Sequence, residues 1–373
     1  MNRRFASAFV LTLAAASPQA LAADETPQST GAMLTERDFL VEIPRVISAS
    51  RLPQTPSDSP GAVTVIDREM IRASGARTVA ELFRMVPGFI VGFPSGSRPV
   101  VAYHGLSGQF SQRMQVLLDG RSLYAPYLLG GIDWSTLPVE LDEIERVEVL
   151  RGSNSASYGA NAFLGVANIV TRSAAQSRGS HFSAAAGSRN VADAFARYGA
   201  GGGTFNWRLA AGTRGDDGLA GAHDSWRSDY ASLRAEWQPT GIDELSLIAG
   251  VADNRSGIGS ARLAADPPRD ERTRSSHLLV RWRRAFAADH EMSLTASSTV
   301  DEGDDRFSIP ATPTDALVID YGRFARRDHF EYQHYLSLSD ALRSSWGAEY
   351  RSDRVTARQL FNRPEAQRSE SVR

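Results

Sequence analysis

Two hydrophobic rhythms divide the chain. Across residues 62–171 short apolar runs mix with helical spacing. Residues 63–66 read as a strand. Asp67 is placed to cap a helix over 68–74, with Gly75 as its stop. Thr78 and Glu81 have the spacing of a capping box for a second helix, 79–86, ended by Pro87-Gly88. Its apolar residues Val79, Leu82, Phe83 and Val86 fall on one face. Short strands are expected at 89–91, 100–103, 114–118, 121–124, 143–150 and 166–171, with Asp119-Gly120 as a hairpin turn. Residues 45–172 therefore read as a compact α+β domain.

From about Ser173 the helical period disappears and a period of two replaces it. Phe205, Trp207, Leu209 and Ala211 point one way, and Asn206, Arg208 and Ala210 the other. Residues 230–237, 242–252, 278–283 and 329–338 alternate in the same manner. Short polar turns such as 238–241 and 287–290 are expected at one end. Long charged connections, 253–274 and 300–327, are expected at the other. That layout, with aromatic residues near strand ends, predicts antiparallel transmembrane β-barrel strands rather than a soluble sandwich. About nine strands are expected over 173–373.

The amino-terminal segment changes the picture by adding export. Arg3 and Arg4, an apolar stretch from Phe5 to Ala16 and the small-x-small triplet Ala20-Leu21-Ala22 predict a signal peptide over 1–22. Residues 23–44, rich in Pro, Ser, Thr and acidic residues, read as a flexible leader. No run approaches the ~20 apolar residues of a membrane-spanning helix, so strands are the expected route across a bilayer. The net charge of −2 argues against a nucleic-acid partner. The chain has no cysteine, and its 41 basic residues are all arginine. Disulfides, thiolate nucleophiles and lysine-dependent chemistry are thereby excluded.

One stretch is dense in motifs. Ile144-Glu145-Arg146-Val147-Glu148-Val149-Leu150-Arg151-Gly152 leads through Tyr158-Gly159 to Gly165-Val166-Ala167-Asn168-Ile169-Val170-Thr171. With the Leu82 to Gly88 helix end and the Gln115 to Leu123 segment around Asp119-Gly120, it resembles the plug domain of TonB-dependent outer-membrane receptors. Ser153, His104 and Ala167 depart from that family's usual residues without removing a glycine or a core strand. Asp119, Gly120, Arg151, Gly152, Tyr158, Gly159, Gly165 and Asn168 are expected to be structural, the glycines through turns and close backbone approach.

The resemblance implies energy-coupled uptake of a scarce small molecule, such as a metal chelate or cobalamin, across the outer membrane. It places a TonB box at Glu42, Ile43, Pro44, Arg45, Val46, Ile47 and Ser48, pairing as an added strand with an energy-transducing TonB-type partner. By the same analogy the plug loops near 93–98 and 124–129 face the ligand, with Phe93, Ser95, Arg98, Tyr124 and Tyr127 as candidates. Outer-membrane lipid is the surrounding partner. The leader is too short for a folded signalling domain.

No enzyme is expected. Gly105-Leu106-Ser107-Gly108 falls one residue short of a nucleophile elbow, and the glycine run 199–203 lacks dinucleotide spacing. No cofactor is expected, and no metal either. His329 and His334, five apart, fall on opposite strand faces, and Asp301-Glu302-Gly303-Asp304-Asp305 lacks calcium-loop spacing. That acidic run is expected in a solvated external loop. The arginines of 281–284 and 323–327 are expected as loop and lumen charge. Length bears on function too, since a receptor barrel needs ~22 strands of ~10 residues. Residues 174–373 number 200, so the chain is expected to be a truncated form. The alternative reading is a plug-containing remnant that binds ligand without transporting it.

Overall fold

The computed structural model describes residues 61–372, except 107, 109, 129–130, 160, 288, 313–314, 340–341, 358 and 360–366. The signal segment, the leader and the 42–48 segment lie outside the described residues.

The first part builds as its sequence dictates. Strand β1 (Ala62–Asp67) runs into helix α1 (Arg68–Ala73), where the Asp67 carboxylate accepts from the Met70 N–H at 2.9 Å. The Thr78/Glu81 capping box opens α2 (Val79–Leu82), whose last turn tightens to a 3₁₀ turn over Phe83–Met85 before Pro87-Gly88. A hairpin of β2 (Phe89–Ser95) and β3 (Arg98–Tyr103) follows, running further toward its tip than the apolar pattern suggests.

Strands β4 (Met114–Leu118), β5 (Arg121–Ser122) and β6 (Ile144–Arg151) come next. A short helix α3 (Ser155–Tyr158) then precedes β7 (Gly165–Thr171). The sheet order is β1-β6-β7-β4-β5, antiparallel except for the parallel pair β4 and β7. Strand β6, between β1 and β7, is buried on both faces. Ile144, Val147 and Val149 join the main core with Leu82, Phe83, Val101, Ile132 and Trp134. Leu150 packs on the other side with Leu117 and Val166.

Gly165 sits where chain meets chain. A Cβ there would lie 2.5 Å from the Leu150 carbonyl oxygen. Gly165→Ala is therefore expected to lower the melting temperature through about 1–3 kcal/mol of overpacking, read by circular dichroism.

The second part is a single antiparallel sheet of ten strands among the described residues, one more than the pattern suggests. It comprises β8 (Gly179–Gly187), β9 (Val191–Gly202), β10 (Phe205–Asp216), β11 (Trp226–Trp237) and β12 (Asp243–Ile258). It continues with β13 (Arg269–Ala287) and β14 (His290–Asp304), then β17 (Arg323–Ser339), β18 (Leu342–Ala357) and β19 (Gln367–Val372). A separate hairpin, β15 (Arg306–Pro310) and β16 (Ala316–Asp320), interrupts the order between β14 and β17. Each strand pairs with its sequence neighbour in the sheet, so the wall is a meander. Turns of two to five residues join the strand pairs at one end, and most connections at the other end are longer.

The long connections are shorter than their charge suggests. Only 259–268 is loop in the first, because strands continue through the charged residues. Arg272 and Arg274 bind Asp253 across β12 and β13, so ion pairs replace apolar contacts where the wall extends past its apolar belt. Likewise residues 301–304 are the end of β14 rather than an external loop, and Asp305 is held by Arg269 at 2.5 Å.

The wall inverts the usual rule of burial. Phe182, Tyr198, Leu209, Trp237, Val251, Leu338 and Trp346 are each at least half exposed on one face. Arg197, Asn206, Arg208, Ser228, Asn254, Thr273, Arg327 and Asp353 are buried on the other. Water would penalise such an outer face, whereas hydrocarbon favours it. No helix among the described residues is long and apolar enough to cross a membrane.

Candidate functional site: the interface between plug and wall

The α+β domain lies against the inward face of the wall, and the buried polar residues of the strands are its partners. The junction is built from motif residues upward. Asp119 and Gly120 both have positive φ, 51° and 86°, which makes a tight turn at the end of β4. The Asp119 carboxylate accepts from the backbone N–H and the hydroxyl of Thr171, at 2.9 and 2.8 Å. It thereby ties the turn to the end of β7. The Asp119 carbonyl accepts from Arg281 of β13 at 2.6 Å. Two more wall arginines converge on the same point: Arg234 and Arg208 each donate to the Thr171 hydroxyl oxygen, at 2.9 and 3.1 Å.

Glu143, at the entrance to β6, completes this cluster. It pairs with Arg208 at 2.7 Å and accepts from Ser232 at 3.0 Å. Both partners of the pair are almost wholly buried. Burial pushes the Glu143 carboxyl above the usual carboxylate range, and Arg208 and Ser232 oppose that rise. Nearby, Tyr230 donates to Glu140 at 2.8 Å. Arg121, also in the plug, reaches Thr299 of β14 at 3.1 Å, and burial draws its guanidinium down to about 10. It remains protonated at neutral pH.

A second set of contacts lies at the end of the wall with the longer connections. Arg77 bridges Asp193 of β9 and Asp216 of β10, at 2.9 and 2.8 Å. Hydrogen bonding to Asp193 raises its pKa despite partial burial. The tip of the β2–β3 hairpin meets the 217–225 connection. There Gly96 donates from its backbone to Asp224 at 2.6 Å, and a Cβ on Gly96 would collide with the Gly218 backbone. Arg98 pairs with Glu271 of β13, which Arg323 also binds.

A cavity of about 420 Å³ opens behind this hairpin, lined by Arg77, Arg84, Phe93, Trp134, Arg214 and Trp226 among others. Arg84 stands over the Phe93 ring at 5.5 Å. Arg214 is buried, with two guanidinium nitrogens lacking a hydrogen-bond acceptor and the Glu140 carboxylate at 3.8 Å. A wide polar cleft of about 450 Å³ lies between the plug sheet and the wall. Its lining includes Asp119, Arg121, Tyr158, Asn168, Arg281 and Arg327.

The residues singled out in the sequence are thus distributed over distinct places. Phe93 lines the cavity directly and Ser95 lies beside the hairpin tip, with Arg98 turned into its ion pair. Tyr124 and Tyr127 do not join them. Arg327 covers the Tyr124 ring at 4.5 Å and Arg323 covers Tyr127 at 4.6 Å. Tyr127 is buried with Ala125 against Ala325 and Val355, and that burial raises its hydroxyl pKa. Arg151 closes β6, Gly152 and Gly159 have φ of 105° and 84°, and Tyr158 packs beside Leu150 and Ala162.

The arginines of 281–284 and 323–327 are largely lumen charge as expected. Glu143, Arg208 and Arg234 were missed. Arg208 left a signal as a cation in the middle of an alternating strand, but its partner lies 65 residues away.

Residues 55–166 match the family model for the TonB-dependent Receptor Plug Domain. The vitamin B12 transporter BtuB of Vibrio vulnificus is 35% identical over 143 residues, 38% of this chain and 23% of that protein. BtuB of Vibrio cholerae is 30% identical over 196 residues, 51% of this chain and 31% of that protein. Among solved structures, the ferric-catecholate import receptor Fiu from E. coli K12 superposes with a TM-score of 0.66 at 16% identity. It covers 84% of this chain and 52% of the receptor. The siderophore receptor PirA from Acinetobacter baumannii gives 0.63 at 16% identity, covering 81% and 49%. The matches span less than a third of the curated relatives and about half of the solved receptors. The chain carries the plug domain of the TonB-dependent receptors, joined to antiparallel strands of the kind that build their barrel.

Proposed function

We propose that this chain acts as a TonB-dependent receptor of the bacterial outer membrane, taking up a scarce ligand such as a ferric chelate or a cobalamin. The observation that carries the reading is the inverted wall, apolar outside and arginine-rich inside, clasping a plug through buried ion pairs. Such a plug is held firmly yet by polar contacts, which water can replace when it is pulled.

The ligand docks at the end with the longer connections, in the cavity beside Phe93, Arg84, Trp134, Arg214 and Trp226. Its aromatic and cationic lining suits a planar or anionic ligand. Residues 42–48 engage the energy-transducing partner by strand addition. The polar cleft between plug and wall becomes the exit route once the plug shifts.

Deleting residues 42–48 is expected to abolish accumulation of radiolabelled cobalamin or ferric-siderophore probes by cells, while binding of the same probe to the cell surface persists. Uptake at the undeleted level would sink the coupling assignment.

A further inference from the structure

We propose that the ligand of this chain is a small anionic chelate, presenting carboxylate or catecholate oxygens, rather than a cobalamin. The inference rests on the reading above that the cavity behind the β2–β3 hairpin receives the ligand, and it adds the chemistry of what enters.

The side chains of that cavity divide into acceptors already used and donors still unused. Its two lining carboxylates are Glu81 and Asp216. Glu81 accepts from the backbone N–H groups of Arg77 and Thr78, at 2.6 and 3.3 Å. Asp216 accepts from the Arg77 guanidinium and from the Gly218 backbone N–H, both at 2.8 Å. Four arginines line the same space, 77, 84, 189 and 214, and Arg77 is committed to Asp193 and Asp216. Arg84 lies over the Phe93 ring, and Arg189 stands on the turn between β8 and β9. Both are exposed, and neither has an ion-pair partner among the described residues.

Arg214 carries the argument furthest. It is only 6% exposed, and its Nε and Nη1 have no acceptor. The Glu140 carboxylate stays 3.8 Å away, beyond hydrogen-bonding distance. Glu140 already accepts from the Tyr230 hydroxyl at 2.8 Å and the Leu141 N–H at 3.0 Å. Trp134, contributed by the plug, is also buried with its indole N–H unpartnered. Buried N–H groups without acceptors are costly, so a cavity with such donors from both wall and plug favours a ligand that brings acceptors. The planar fork of a guanidinium matches the paired oxygens of a carboxylate. A cobalamin fits less well. Its rim is rich in carboxamides, whose own N–H groups would meet donors and stay unpaired.

The test titrates the full chain in detergent micelles by calorimetry with three probes: an anionic ferric tricatecholate, an uncharged ferric trihydroxamate and cyanocobalamin. The tricatecholate is expected to bind at least about 10-fold more tightly than the other two, and to weaken as salt is raised. Arg214→Gln should weaken it by at least about 10-fold and leave the uncharged probes unchanged. The double change Arg84→Gln with Arg189→Gln, both at exposed positions, should act in the same direction without putting the fold at stake. Phe93→Ala separates this inference from the reading beneath it. An uncharged probe that binds as tightly as the anionic one, and is weakened by Phe93→Ala, keeps the cavity and overturns the anion inference. Tight anionic binding that no cavity substitution changes overturns both. Iodide supplies a readout that needs no matching ligand. It should quench Trp226, read as the difference from Trp226→Phe, more strongly than uncharged acrylamide, and lose that advantage in the arginine variants. Equal quenching overturns the proposal.

Discussion

Replacing Arg208 with alanine is expected to cost the plug–wall junction about 3–5 kcal/mol, the usual penalty for leaving a buried charge without its partner. Glu143 would be left with Ser232 as its remaining wall contact, and the Thr171 hydroxyl would lose one of its two arginines. Limited proteolysis of the plug and thermal unfolding in micelles would both read the loss.

The penalty should depend on pH in a stated direction. Glu143 has a folded pKa raised by burial, so the folded state holds its proton more tightly than the unfolded chain does. Stability at this residue falls as pH rises from the ordinary carboxylate value through the raised one, and is level above it. Without Arg208 the carboxyl rises further and the window widens. The variant should therefore recover part of its loss in mild acid. A pH-independent penalty would mean that Glu143 stays ionised throughout. Replacing both partners by apolar residues of similar size should cost far less than either single change.

Phe83→Ala should be as damaging by a different route. The Phe83 ring is fully buried, 5.0 Å from Trp134 in an edge contact and 5.4 Å from Phe89. Deleting it removes the link between the α2 turn and the β2–β3 hairpin and leaves a cavity, at about 3–5 kcal/mol. Unlike the Arg208 loss, this one should not vary with pH. It should also reach the cavity behind the β2–β3 hairpin, because Trp134 and Phe93 line it. Phe83→Leu, which keeps most of the volume, should restore much of the melting temperature.

These two sites differ in how far the sequence discloses them. Phe83 is legible because it repeats at helical spacing with Val79, Leu82 and Val86 behind a capping box that the structure contains. Local chemistry dictates local form there. The Asp119-Gly120 turn is legible as a turn for the same reason. Its second task, capping Thr171, depends on a parallel pairing of β4 with β7 that no local pattern encodes.

Arg208 and Arg234 sit on the polar side of alternating strands, where charge in a lumen and charge in solvent read alike. Only the docked plug distinguishes them. The charged segments at 253–258 and 269–274 have the look of loop in the sequence because apolar alternation stops there. Backbone pairing continues through ionic side chains instead. The contact between His290 and His334, Nε2 to Nε2 at 2.9 Å, is illegible for a related reason: the two are 44 residues apart and meet only through strand register.

The inward arginines also bear on how such a wall assembles. Arg197, Arg208, Arg234, Arg281 and Arg327 come from five different strands, and each is flanked along its strand by outward residues. A strand that paired one position out of step would turn its arginine into lipid, at about 2–4 kcal/mol near the bilayer midplane. It would turn Leu209 or Trp207 toward the plug at the same time. In a bilayer, Arg197, Arg208, Arg234 and Arg281 would thus each weigh against a slipped register of its own strand.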